Sequence, residues 1–389
     1  MSKQVSALPS PIRTIFIVEN KWGGHHPTYI KHFTEVFAAL GCHIVLSLPS
    51  LATKAYIQDL HPSILVHQEP TQPAKVFDLA YWRWLAAIVQ ILQATSGSKP
   101  DLVFIPYLDQ ALFPGLNRFP LLKKLVFNGI VRFPWSGLFF HPKFNLYPLS
   151  ESIFQLKSCH SIALLDSRET QRINQNLANH KAIQLPDFAD LTTSPDRPAI
   201  VTHILALAAG RPIIALAGVL ARRKGIITLA DIAQLANPQD YFFVACGKIQ
   251  DSDFSTAERN RLRALHSHPT SNLLITDQFL PFEADFNALI QAASYVFLGY
   301  QDFPHSSNVM TKAAHFLKPI LCMDSSYMGY LTKKHNLGLT FPELDPAAGL
   351  QMLIKLHTGY EPDTKSMSAF AAEMTLTVLQ ARLSQLLQL

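Results

Sequence analysis

Residues 295–323, YVFLGYQDFPHSSNVMTKAAHFLKPILCM, constrain the fold more than any other stretch. They read as an apolar strand, a polar loop, a helix opening on Ser-Ser-Asn and a second apolar strand. Buried apolar runs alternating with helical segments argue for a parallel, doubly wound sheet. The same alternation fills the second half, with strands expected near 213–217, 241–246, 273–276, 295–298, 319–323 and 338–341. In the first half the strands are expected at 13–18, 43–48, 102–106, 125–127 and 161–165, with a helix over 28–40.

A chain of 389 residues exceeds one compact core and fits two domains. The proline-rich stretch LPDFADLTTSPDRP breaks the periodicity, so the boundary is expected near residue 190, with a last helix from Thr364 to Leu389 after Pro362. With 48% hydrophobic and 16% charged residues the chain is not a disordered one. The opening MSKQVSALPSPIRTI lacks an apolar signal core, and the apolar run 79–92 contains Arg83 and is too short to span a bilayer. Four widely spaced cysteines form neither a metal-ligand pattern nor a disulfide framework. A soluble cytoplasmic protein is therefore expected. Residues 1–185 carry 17 Lys and Arg against 10 Asp and Glu, which suggests an anionic partner for that half, most simply a membrane face or a phospholipid-linked substrate.

Two loops look built for phosphate. Ser306, Ser307 and Asn308 are good helix N-caps, and the unpaired amides of a first helical turn attract anions. Upstream, IALAGVLARRKG ends a strand at Gly218, before a turn carrying Arg222, Arg223 and Lys224. Glycine allows close backbone approach there, and the cations can neutralise a diphosphate. In the first half, NKWGGHHP joins the first strand to the first helix, with Gly23, Gly24 and His25 at the sheet edge where ligands gather. Neighbouring His25 and His26 lack a third metal ligand, and no metal is expected. Asp109, ending a strand, is the leading general base of this half, followed by His141 beyond FPWSGLFF, where aromatic residues bracket a Ser-Gly turn. No Gly-x-Gly-x-x-Gly follows the first strand, which disfavours a dinucleotide-dependent dehydrogenase. Nucleic-acid binding has only the mild basic imbalance behind it.

In order and spacing, Gly218-x-Leu220-x-x-x-Lys224-Gly225, FFVACGK, DQFLPFEADFNALIQAAS, the Tyr300 loop, Ser-Ser-Asn, Lys-Ala-Ala and Lys-Pro-Ile-Leu resemble the C-terminal half of GT-B glycosyltransferases of family 4 and its relatives. The resemblance is strong over residues 212–342. It implies two Rossmann-like doubly wound α/β domains facing a central cleft. Residues 1–190 would bind the acceptor, residues 191–362 the nucleotide-sugar donor, and residues 363–389 would return as a helix to the first domain. The implied activity is sugar transfer to a lipid-linked or polysaccharide acceptor without a cofactor or metal, at the inner face of the membrane. Lys224 and Arg223 would hold the diphosphate, together with Gly23, Gly24 and the Ser306–Asn308 loop. His25, Gly218, Gly247, Lys248, Gln278, Phe279, Tyr300 and Lys312 would meet the sugar and nucleotide. The family's Glu-x7-Glu pair falls on Pro304 and Lys312, and Asp302 lies near enough to stand in for the first glutamate. A lysine cannot accept ribose hydroxyl protons, so a catalytically inactive relative serving as a binding or regulatory subunit is the alternative.

Overall fold

The structure is a computed structural model that describes residues 13–23, 26–69, 78–110, 120–140, 153–176, 182–280 and 282–388. The chain divides into two compact units, residues 1–186 with 376–389, and residues 187–375.

The first unit carries strands β1 (Thr14–Val18), β2 (His43–Pro49), β3 (Leu65–Glu69), β4 (Leu102–Ile105), β5 (Trp135–Phe139), β6 (Cys159–Leu164) and β7 (Ala182–Gln184). They form one parallel sheet in the order β3-β2-β1-β4-β5-β6-β7. Helices α1 (His26–Ala39), α2 (Lys54–Gln58), α3 (Asp78–Ser96), α4 (Pro120–Ile130) and α5 (Ser167–Asn176) connect them. Successive side chains of a strand point to opposite faces. Thus Phe104 of β4 meets Phe33 and Phe37 of α1, with ring centroids 5.0 and 5.2 Å away, while Val103 and Ile105 join Tyr81, Trp82 and Leu85 of α3 in another core.

Two expectations fail here. Residues 125–127 are helical, because Leu125, Val126 and Phe127 continue a helix that opens with proline at its first position and buries Phe127. The expected Ser-Gly turn is the middle of β5, a wholly buried strand between β4 and β6. Gly137 is required there because a Cβ would lie 2.4 Å from the Ile105 carbonyl oxygen.

The second unit holds β8 (Ile213–Ala217), β9 (Phe242–Gly247), β10 (Leu273–Asp277), β11 (Tyr295–Leu298), β12 (Ile320–Met323) and β13 (Gly338–Phe341), parallel and ordered β10-β9-β8-β11-β12-β13. Its helices are α6 (Ala199–Ala208), α7 (Ile226–Leu235), α8 (Thr256–Ser267), α9 (Glu283–Ala292), α10 (Asn308–His315), α11 (Tyr327–Lys334), α12 (Pro346–Thr358) and α13 (Thr364–Glu373). Ile213, Ala215 and Ala217 pack with α6, α9 and α10, whereas Ile214 and Leu216 pack with α7, α8 and α12. The sheet is thus covered on both faces.

The expected single C-terminal helix is two. Within the second unit α13 packs on α10, and the chain then enters α14 (Leu376–Leu386), which belongs to the first unit. There α14 buries Leu379, Leu383 and Leu386, and the Leu386 carbonyl lies 2.9 Å from His160 Nε2.

Candidate active site

In both sheets the strand order reverses once, between β1 and β4 and between β8 and β11. Ligands of open parallel sheets bind beyond the carboxyl ends of the strands flanking such a reversal.

In the second unit β8 ends in Gly218 at φ 95°, whose N–H donates to the Cys246 carbonyl. The adjoining turns touch backbone to backbone. A Cβ on Gly247 would lie 1.8 Å from the Gly218 oxygen, and one on Gly225, at φ 77°, 2.0 Å from the Gly299 oxygen. The Arg222–Lys224 turn packs under this bare backbone. Lys224 is only 9% exposed, and its Nζ lies 2.8 Å from the position of a Gly218 Cβ. Among the described residues its hydrogen-bond partner is the Ala217 carbonyl, at 3.3 Å. An ammonium this enclosed and so thinly partnered is poised for an anion. Arg223 stacks its guanidinium 4.5 Å from the Phe303 ring centre and 5.8 Å from that of Tyr300. Arg222 instead pairs with Glu258 at 2.9 Å.

Tyr300 links this turn to α10, since its hydroxyl lies 3.1 Å from that of Ser307. Ser307 is the N-cap residue of α10, yet it makes no side-chain capping bond, and Ser306 bonds the Asp187 carboxylate. The expected capping hydroxyls are therefore engaged elsewhere, and a carboxylate stands beside this helix start. Asn308 opens the helix.

Lys312, 2% exposed, donates to the Asp190 carbonyl at 2.5 Å, to Glu283 at 2.7 Å and to Asn287 Oδ1 at 2.6 Å. Asn287 Nδ2 in turn donates to the Asp190 and Thr192 carbonyls. This cluster ties residues 187–192 to α9 and α10. The Lys312 ammonium is thus used by protein partners, and Glu283 is the carboxylate held beside it.

Asp302 is exposed in a left-handed turn at φ 47°, its N–H bonded to Glu343. Lys248 pairs with Asp277 at 2.9 Å on the surface. Burial raises the Asp277 carboxyl pKa, but the bonds from Ile249 N–H and Lys248 outweigh it and hold the group below its ordinary range. Gln278 and Phe279 are exposed beyond β10.

In the first unit β1 ends in Glu19, 2% exposed. Its Oε1 accepts the Asn20 and Lys21 N–H groups at 2.8 Å each, and its Oε2 lies 2.9 Å from His26 Nδ1. Lys21 places its ammonium 4.1 Å from the centre of the Tyr107 ring. Burial lowers the Lys21 pKa, against the opposing pull of Asp109 and Glu19, and burial likewise pushes the Tyr107 phenol up. Asp109 accepts the Phe140 N–H at 3.0 Å. Gly23 adopts φ 102° in the loop before α1. Gly24, His25 and His141 lie outside the described residues. Sequence reasoning missed Glu19, although a carboxylate closing the apolar run IFIV was a signal of a buried charge.

No family model matches this sequence, and no curated protein matches it. Solved structures do match. A glycosyltransferase from Rickettsia africae superposes with a TM-score of 0.68 at 11% identity, over 97% of this chain and 98% of that one. Anabaena HepE in complex with UDP-glucose gives 0.65 at 13%, and sucrose-phosphate synthase from Thermosynechococcus elongatus 0.66 at 16%, each over 96% of this chain and 98% of theirs. At such identities the likeness establishes architecture. Two parallel sheets of this order, matched over nearly the whole chain, give this protein the GT-B fold.

Proposed function

We propose that the protein is a glycosyltransferase that uses a nucleotide-sugar donor. The observation that carries this reading is Lys224, a buried ammonium beneath the bare Gly218 backbone at the strand-order reversal. A fixed cation there stabilises a departing diphosphate as the glycosidic bond breaks. Arg223, Tyr300 and the amides of α10 complete the cradle, and Gly247 lets the β9 turn approach it. HepE, of the same architecture, is described with UDP-glucose bound, which supports a nucleotide sugar as the co-substrate. With cations already beside the diphosphate, turnover is expected to survive chelation by EDTA.

Calorimetric titration with UDP, GDP, ADP, CMP and their sugars tests the reading. Failure of every nucleotide and sugar nucleotide to bind would refute it. Binding without turnover of any donor would favour a non-catalytic subunit, the reading to which Pro304 and Lys312 at the glutamate positions lend weight.

The acceptor reading is a lipid-linked or polysaccharide substrate at the cytoplasmic face of an anionic membrane. Its support is the basic first half together with α4, where Leu121 and Leu125 are 81% and 72% exposed on the helix that carries Lys123 and Lys124. Among the described residues no helix is long and apolar enough to cross a membrane. Leu121→Ser with Leu125→Ser should abolish co-sedimentation with phosphatidylglycerol vesicles. Unchanged sedimentation would leave α4 without this role.

A further inference from the structure

Resting on the nucleotide-sugar reading, we propose that Asp187 is a specificity-determining residue. Its carboxylate, fixed at the start of α10, sets the cradle to favour the sugar ester of a nucleoside diphosphate over the free diphosphate. Asp187 opens the second unit, and every residue of this argument belongs to that unit. Its side chain accepts the Ser306 hydroxyl, one residue before the N-cap Ser307, where the first amides of α10 present the positive end of the helix dipole. Asp187 is only 8% exposed. A carboxylate so buried stays charged where a donor and a dipole stabilise it. Nor is it free to swing aside. Thr311 Oγ1 donates to the Asp187 carbonyl at 2.7 Å, Phe188 is buried next to it, and Lys312 and Asn287 hold the Asp190 and Thr192 carbonyls. The start of α10 therefore offers a ligand its amides together with a fixed negative charge.

Donor and product meet that charge differently. In the sugar ester the distal phosphate is a diester with a single negative charge. When the bond to the anomeric carbon breaks, this phosphate keeps the electron pair and becomes a monoester, whose second pKa of about 6 leaves it close to doubly charged at neutral pH and above. Lys224 and Arg223 attract the diphosphate of both species, whereas Asp187 opposes the charge that only the product has gained. A unit charge a few ångströms from a fixed carboxylate in a partly solvated site is opposed strongly enough to change affinity about tenfold. Asp187 thus helps the spent nucleotide to leave and limits its competition with fresh donor.

The test is calorimetric titration at about pH 8, where the monoester is fully ionised, with UDP and UDP-glucose, GDP and GDP-mannose, and ADP and ADP-glucose, carrying forward the pair that binds most tightly. Asp187→Asn keeps the shape and an acceptor for Ser306 but removes the charge. It should tighten the free diphosphate about tenfold and the ester about threefold or less, and Asp187→Ala should shift the ratio in the same direction. Thr311→Val loosens the backbone of Asp187 and keeps its charge, so the ratio of the two affinities should stay within about twofold of wild type. Equal tightening of both ligands, or none, overturns the proposal and leaves the donor reading standing. A Thr311→Val ratio shifted as far as that of Asp187→Asn does the same, as does a wild-type protein that binds the free diphosphate more than about tenfold more tightly than the ester. Failure of every pair to bind removes the donor reading and the role of Asp187 with it.

Discussion

At the end of β1 the chain turns on a buried carboxylate, whereas at the end of β8 it turns on a glycine with a buried ammonium beneath it. The sheets share one strand order around their reversals, so topology does not distinguish these places; the residues set there do. Glu19 has its partners supplied by the N–H groups of its own loop and by the His26 ring. Among the described residues Lys224 Nζ has one hydrogen-bond acceptor, the Ala217 carbonyl at 3.3 Å, and lies 5.8 Å from the centre of the Tyr300 ring. A charge whose partners are complete shapes its surroundings, and a charge whose partners are few invites a ligand. The second unit holds both kinds of charge, since Lys312 is as enclosed as Glu19 and has three acceptors.

Exchanging each lysine for methionine tests that distinction. Lys312→Met strips Glu283, Asn287 and the Asp190 carbonyl of a shared donor and should cost about 3–5 kcal/mol of stability, read as a lower urea midpoint. A variant as stable as wild type would show that the cluster holds nothing together. Lys224→Met should change stability by less than about 1 kcal/mol, yet weaken nucleoside-diphosphate binding by about 1.5–3 kcal/mol, roughly 10- to 160-fold. Equal effects on both properties would erase the contrast.

Ser307→Asp probes the α10 side of the cradle. A carboxylate at the N-cap should hold the melting temperature steady or raise it, through the helix dipole, while opposing a diphosphate. Nucleotide affinity should fall about tenfold or more, and Ser307→Ala should do far less because backbone amides supply the contact. If both variants bind nucleotide as wild type does, α10 only packs.

The smallest effect is expected at Asp277, whose exposed pair with Lys248 resembles neither buried charge. Its pKa is lowered in the fold, so its stabilisation is complete above the ordinary aspartate range, about pH 4, and is lost as pH falls through the lower folded value. Asp277→Asn should cost about 0.2–1 kcal/mol at pH 6, and the difference from wild type should vanish in strong acid. Melting curves at pH 6 and pH 2 would check both sign and size, and a difference independent of pH would assign the effect to packing.

The β8 turn was legible because its chemistry is local: Gly218, Arg222, Arg223, Lys224 and Gly225 follow an apolar run within a few residues. The strands of the second sheet were legible for the same reason, being unbroken buried runs bounded by breakers. Elsewhere the partner lies far along the chain. Gly137 looked like a turn because its reason, the carbonyl of Ile105 on the neighbouring strand, is invisible in WSGLF. Leu125–Phe127 looked extended because a three-residue apolar window does not reveal the helix around it. Lys312 read as a donor contact, and its acceptors come from Asp190, Glu283 and Asn287. Glu19 escaped notice because its burial depends on a histidine seven residues away and on the loop between them.

The path of α14 bears on how the protein is made. The second unit is continuous from residue 187 to residue 375, so a ribosome finishes it in one pass. The first unit, begun earlier, lacks α14 and its buried leucines until the second unit has been synthesised. Domains ordinarily fold from the N-terminus as they emerge. Here the order of completion runs the other way, and the half that starts the chain waits on the helix that packs against its β7 and α1.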